Sequence, residues 1–233
     1  METREREAHL LAATSTQVEA HFADFDDLAH GWEHVQRVYH LAMRLAEQEQ
    51  ANSFIVGMAA LLHDLGRTTK DPTRPHAERS AILATTLLAP YDLPLDTQFA
   101  ILHAILAHSY RRGIAPATLE ARVLYDADRL DSLGASGVMR WAMTAVRRRW
   151  PESKTYHPDD PFAERRTPDD KRYLLDRFFT KLLTLQEVMT TLSGREMAQR
   201  RTDFLRFYLE ELQHELEEAG YIPSASTEKS SFP

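Results

Sequence analysis

Apolar residues recur at three- and four-residue steps along most of this chain, and that spacing restricts it to helices. Val35, Val38, Leu41, Ala42 and Leu45 form one such stripe, and others run through 76–89, 97–107, 172–190 and 195–218. No stretch reads convincingly as a strand. Glycines and prolines fall mostly between the stripes, at Gly31, Gly66, Pro72, Pro75, Pro90, Pro94, Gly113, Pro116, Gly134 and Pro151. The expected fold is therefore all-α, a helical bundle. With 233 residues, 43% hydrophobic and 27% charged, there is material for a sizeable core. The composition stays uniform almost to the end. It predicts one domain over 1–222, with a core at about 20–148 and a C-terminal helical cap at about 170–219 after an excursion rich in proline and charge. The last residues, 223–233, carry serines and prolines without apolar period and read as a disordered tail.

The chain has no cysteine, so any metal must be held by histidine nitrogens and carboxylate oxygens, and no thiol nucleophile exists. A net charge of -7 argues against a nucleic-acid polymer as partner, because such binding draws on concentrated Lys and Arg. Small anions remain compatible, since a few local cations suffice for them. The N-terminus is too charged for a secretory signal. The longest near-apolar run, 54–62, falls far short of the ~20 residues of a membrane span. The expected location is cytoplasmic, away from membranes.

Eleven histidines are many for this length, and several concentrate in the first half. His30 and His34 share a helix face if the helix begins at His30, with Arg37 one turn beyond His34. His34 also flanks the stripe of Val35, Val38 and Leu41, which turns it inward. The segment 54–67 is the most informative: an apolar helix ends in His63 and Asp64, then Leu65 and Gly66. Two ionisable groups at the end of a buried helix are costly unless something pairs with both, and a divalent cation does so at once. A third cluster, Asp126, Asp128 and Asp131, lies in an otherwise apolar helical stretch. Periodicity does not choose between Asp126 and Asp128, which flank Ala127 symmetrically.

In order, these residues resemble the H…HD…D signature of the HD-domain superfamily of metal-dependent phosphohydrolases. The likeness extends beyond the ligands. His-Gly-Trp-Glu-His-Val-Gln-Arg-Val, Ala-Ala-Leu-Leu-His-Asp-Leu-Gly and Asp-Ala-Asp-Arg-Leu-Asp-Ser-Leu-Gly-Ala-Ser-Gly-Val-Met-Arg are similar to the small stand-alone bacterial HD hydrolases. Lys-Leu-Leu-Thr-Leu and Met-Thr-Thr-Leu-Ser-Gly-Arg continue the likeness into the C-terminal helices, so that it covers most of 20–216.

The resemblance implies an HD-domain helical bundle with a C-terminal helical extension, holding a divalent cation on His34, His63, Asp64 and Asp128. Asp131 would then be a supporting or fold residue. Imidazole with carboxylate suits Mn, Co, Ni, Fe, Mg or Zn without choosing among them. A cation there would polarise a phosphoryl oxygen and activate water. Binuclear members carry two more histidines where His76 and His108 stand, but single-metal members also keep polar groups there, and one metal is preferred over two. The catalytic candidates are thus Asp64, Arg37, Arg67, His76 and His108, and the substrate-binding candidates Arg37, Arg67, Lys70 and Arg74.

Each choice has a plainer alternative. His34 alone would read as a core histidine bonded to a carbonyl, and charge runs such as 67–74 are usually solvated loops. The expected activity is hydrolysis of a small phosphorylated metabolite. A nucleotide leads, either a triphosphate cleaved to monophosphate and pyrophosphate or a monophosphate dephosphorylated. A non-catalytic regulatory module that binds metal or nucleotide is the alternative, with a di-iron oxygenase behind it. The oligomeric state stays open, a homodimer included.

Overall fold

In the computed structural model, which describes residues 2–109, 113–148 and 152–223, helices account for nearly all regular structure. In chain order they are α1 (Glu2–Phe22), α2 (Trp32–Glu49), α3 (Ser53–Leu62), α4 (His76–Leu88), α5 (Leu95–Ala107), α6 (Leu119–Leu130), α7 (Gly134–Arg148), α8 (Arg177–Thr180) and α9 (Leu192–Glu218). Among the described residues there is no strand, only an isolated bridge between Lys154 and Tyr173. The all-α expectation holds. No described helix is long and apolar enough to cross a membrane. The expected tail lies outside the described residues, apart from Pro223.

The chain divides into two compact units. The first comprises Met1–Asp131 and Met189–Gly194; the second comprises Ser132–Val188 and Arg195–Pro233. The core expected from the sequence runs on to about residue 148, whereas the first unit stops at Asp131.

In the first unit, α3 is the central rod. Its start is fixed by Asn52, whose side chain accepts from the amides of Phe54 and Ile55. Eight of its residues, including Met58, Leu61 and Leu62, are buried, so α3 is apolar all round and needs neighbours on every side. α1, α2, α5 and α6 supply them. α2 contributes Val35, Val38, Ala42 and Leu45, the stripe read from the sequence, and α5 and α6 add Ile101, Ile105, Leu124 and Leu130. Fully burying each of the valine, leucine and isoleucine side chains stabilises the fold by about 1.5–3 kcal/mol.

The segment Met189–Gly194 is tied to this unit by two carboxylates. Asp126 is fully buried and accepts from the amide (2.9 Å) and hydroxyl (3.0 Å) of Thr190 and from the amide (2.8 Å) and hydroxyl (2.7 Å) of Thr191. Glu49 accepts from the amide of Ser193 at 2.7 Å and from its hydroxyl at 2.6 Å. Gly194 packs so closely here that a Cβ would stand 2.4 Å from Asp126 Oδ2.

In the second unit, the stripe at 172–190 does not form one helix. It breaks into a 3-10 turn (Leu174–Asp176), the single turn α8 and a further 3-10 stretch (Leu182–Val188). Two causes are visible. Buried residues recur three apart, as in Leu175 with Phe178 and Leu182 with Leu185, which suits three residues per turn. Asp176 also turns back on the preceding loop, accepting from Arg166 Nη2 at 2.7 Å and from the Asp169 amide at 2.6 Å. Trp141 of α7 donates to the Leu174 carbonyl at 2.9 Å, and Phe178 stacks on Tyr208 of α9.

Candidate metal centre

α3 ends at His63, whose ring is buried and whose Nδ1–H donates to the Ala60 carbonyl at 2.7 Å. That bond uses the last turn's free carbonyl and leaves Nε2 as a lone pair. His34, near the start of α2, is equally buried and gives its Nδ1–H to Asp131 Oδ2 at 2.7 Å. In the neutral rings both Nε2 atoms are therefore acceptors, and they face each other at 3.4 Å. Two lone pairs opposed at that distance repel unless a cation lies between them.

Carboxylates surround the pair. Asp64 Oδ2 is 3.6 Å from His34 Nε2 and 3.8 Å from His63 Nε2, and Asp128 Oδ1 is 3.5 Å from His34 Nε2. One ligand atom each of His34, His63 and Asp128 lies within 4.8 Å of the others. Direction separates the two aspartates that periodicity left equivalent. Asp128 turns toward the histidines, and Asp126 points to Thr190 and Thr191. This set of two imidazoles and two carboxylates fits a divalent ion.

A second group adjoins the first. Asp64 Oδ1 is buried and has no hydrogen-bond partner among the described residues, and it faces His76 Nε2 at 3.4 Å and His108 Nε2 at 3.8 Å. Those two nitrogens are 3.2 Å apart, and His108 gives Nδ1–H to the Ile105 carbonyl. Asp64, His76 and His108 form a second trio with metal-ligand spacing.

His76 reaches the site because α4 passes very close to Gly66. A Cβ there would stand 2.4 Å from the His76 carbonyl oxygen and 2.5 Å from the Ser80 amide nitrogen. The Gly66 amide donates to Ser80 Oγ at 2.9 Å. Gly66, read from the sequence as a helix stop, is thus the contact that admits α4. The signal for this role was its position directly after the His-Asp-Leu run.

Burial and charge set the protonation states. Burial pushes His63 down to about 4 and His76 to about 3, and it also lowers His108. Burial alone would raise the Asp64 carboxyl, but Arg67 and the surrounding imidazoles outweigh it and hold the group well below the usual carboxylate range. At neutral pH these three imidazoles carry lone pairs and Asp64 a charge, the states a cation requires.

The cationic candidates divide. Arg67 Nε donates to Asp64 Oδ2 at 2.6 Å, and its Nη2 lies 3.4 Å from His76 Nε2. Arg37 is engaged by Asp131, donating from Nε to Oδ1 at 2.7 Å and from Nη2 to Oδ2 at 3.1 Å. Lys70 and Arg74 are exposed on the following loop. α2 begins only at Trp32, so His30 precedes the helix, yet its ring still meets that of His34 edge-on with centroids 6.0 Å apart. His30 Nδ1 also pairs with Asp27 at 2.9 Å.

The family model of the HD domain matches residues 31–133, the span holding every candidate ligand described above. The Bacillus subtilis protein YpgQ is 31% identical over 192 residues, which cover 80% of this chain and 84% of YpgQ. This chain belongs to the HD domain family. Solved structures agree with this HD-domain assignment. The crystal structure of Bacillus subtilis YpgQ in complex with ADP matches with a TM-score of 0.69 at 29% identity, over 90% of this chain and 96% of that one. An HD-superfamily hydrolase from Bacillus thuringiensis matches with a TM-score of 0.71 at 27% identity, over 91% of this chain and 98% of that one.

Proposed function

We propose that this HD-domain chain is a metal-dependent phosphohydrolase acting on a small phosphorylated metabolite, with a nucleotide as the leading substrate. The observation that carries the reading is the convergence of His34, His63, Asp64 and Asp128 with both imidazole lone pairs opposed at 3.4 Å. A divalent ion held by these four would supply Lewis-acid polarisation of a phosphoryl oxygen and a water of lowered pKa. The remaining side chains suit the rest of the task. Asp128, His76 and Arg67 are part-exposed while His34, His63 and His108 are closed off, so substrate enters from the former side. Arg67 stands there as the cation nearest to an incoming phosphate. His76 and His108, neutral at pH 7, offer acceptors that orient a water against it. A nucleotide is supported by YpgQ, whose structure holds ADP.

A nucleotide panel incubated with Mn, Co, Ni or Mg, resolving phosphate from pyrophosphate, tests the reading. Metal-dependent release of either product is the expected result, and no turnover of any phosphate compound overturns it. Nucleotide binding that is tight, metal-independent and without turnover would make the chain a regulatory module instead.

A second reading, two metals, is favoured by the unpartnered Asp64 Oδ1 beside His76 and His108. We keep one metal as the primary assignment, because Arg67 Nη2, 3.4 Å from His76 Nε2, already sets a cation beside the second trio. Metal analysis decides between them, at one or two equivalents per chain. Two equivalents with oxygen consumption would point to the oxygenase.

A further inference from the structure

The three buried imidazoles of the site are not supported alike. His63 and His108 each give Nδ1–H to a backbone carbonyl, of Ala60 and of Ile105. His34 gives its Nδ1–H to a carboxylate, Asp131, which is itself 1% exposed. Both oxygens of Asp131 are used, since Arg37 donates to Oδ1 at 2.7 Å and to Oδ2 at 3.1 Å. A planar guanidinium donating to two oxygens fixes the carboxylate plane as well as its charge. The arrangement rests on two packed helices. His34 and Arg37 are one turn apart on α2, and Asp128 and Asp131 are one turn apart at the end of α6. His34 Nε2 faces Asp128 while His34 Nδ1 and Arg37 both face Asp131.

We propose that Asp131, clamped by Arg37, is a positioning residue that makes His34 the anchoring imidazole of the metal centre. An anionic acceptor fixes the tautomer with the lone pair on Nε2 and raises the basicity of that nitrogen more than a neutral carbonyl does. Arg37, expected from the sequence to cradle a phosphate, acts instead through Asp131. Nothing in this role requires contact with substrate. The inference rests on the metal reading above and deepens it.

The test is titration with cobalt(II) alone, followed by its visible absorption, on wild-type protein, Asp131→Asn, Arg37→Gln and Arg37→Lys. Folding of each is checked by thermal unfolding. Asp131→Asn is expected to bind cobalt 10–100-fold more weakly with altered absorption bands. Arg37→Gln is expected to move affinity in the same direction by a smaller factor, with partial recovery in Arg37→Lys. At saturating metal, Arg37→Gln should lower kcat with little change in KM. A folded Asp131→Asn that binds cobalt as wild type does overturns the proposal. So does an Arg37→Gln variant whose metal affinity is unchanged while KM for the phosphate substrate rises, the pattern of a direct phosphate contact. If Asp131→Asn does not fold, the Arg37 variants decide by the same titration, since that side chain is more exposed. Wild-type protein that takes up no cobalt overturns the metal reading itself, and is recognised before any variant is measured.

Discussion

Acidifying the metal-free protein from about pH 7 to about pH 4 is expected to remove on the order of 3 kcal/mol of stability through His63 alone. The ring is fully buried and its pKa lies at about 4 in the folded chain, against about 6.5 in the unfolded one. Between those values the unfolded chain takes a proton that the folded one refuses. Stability therefore rises with pH in this window, and is lost as pH falls from about 6.5 toward about 4. A gap of about 2.5 units at about 1.4 kcal/mol per unit gives the magnitude. His76 and His108, also lowered by burial, act in the same direction. Asp64 does not offset this, because its depressed carboxyl loses its contribution only at lower pH. A total of a few kcal/mol is a large share of the roughly 5–15 kcal/mol typical of a domain. Urea unfolding at half-unit pH steps, after treatment with chelator, measures it. Saturating Mn should raise the whole curve and steepen it, since the ion binds only the folded, deprotonated site. A metal-free midpoint that stays constant from pH 6.5 to 4.5 would refute the reasoning, and His63→Gln should flatten the slope.

Asp64→Ala is expected to abolish metal retention and activity together, as read by metal analysis and turnover, because the site loses a ligand and a charge at once. Asp128→Asn should lose activity with its melting temperature little changed, whereas Asp126→Asn should retain far more turnover but cost about 2–4 kcal/mol in denaturant unfolding, since its amide opposes the Thr190 and Thr191 donors. Gly66→Ala should cost about 1–3 kcal/mol and lower kcat, because the new Cβ meets the backbone of α4 and displaces His76.

The helical architecture was legible because apolar spacing on α2 and the all-round apolarity of α3 are local facts. The His63–Asp64 pair was legible for the same reason: two polar groups ending so apolar a helix need a partner. What stayed hidden depends on pairs far apart in the chain. Arg37 reads as a phosphate ligand from its place one turn beyond His34, and nothing local announces that Asp131, 94 residues away, takes the Nε–Nη2 edge of its guanidinium. Asp126 and Asp128 are equivalent by period, and only the Thr190–Thr191 segment separates them. The region 172–190 keeps an apolar period, but the loop that captures Asp176 overrides it.

The Asp126 and Glu49 clasps have a practical consequence for dissecting this molecule. Polypeptide leaves the first unit after Asp131 and comes back for only six residues, Met189–Gly194, before departing again. A fragment cut at Asp131 would keep every proposed ligand yet strand the buried Asp126 carboxyl without the Thr190 and Thr191 donors. Such a fragment should therefore be unstable by itself, and a synthetic peptide spanning those six residues, added in trans, is the natural reagent to restore it.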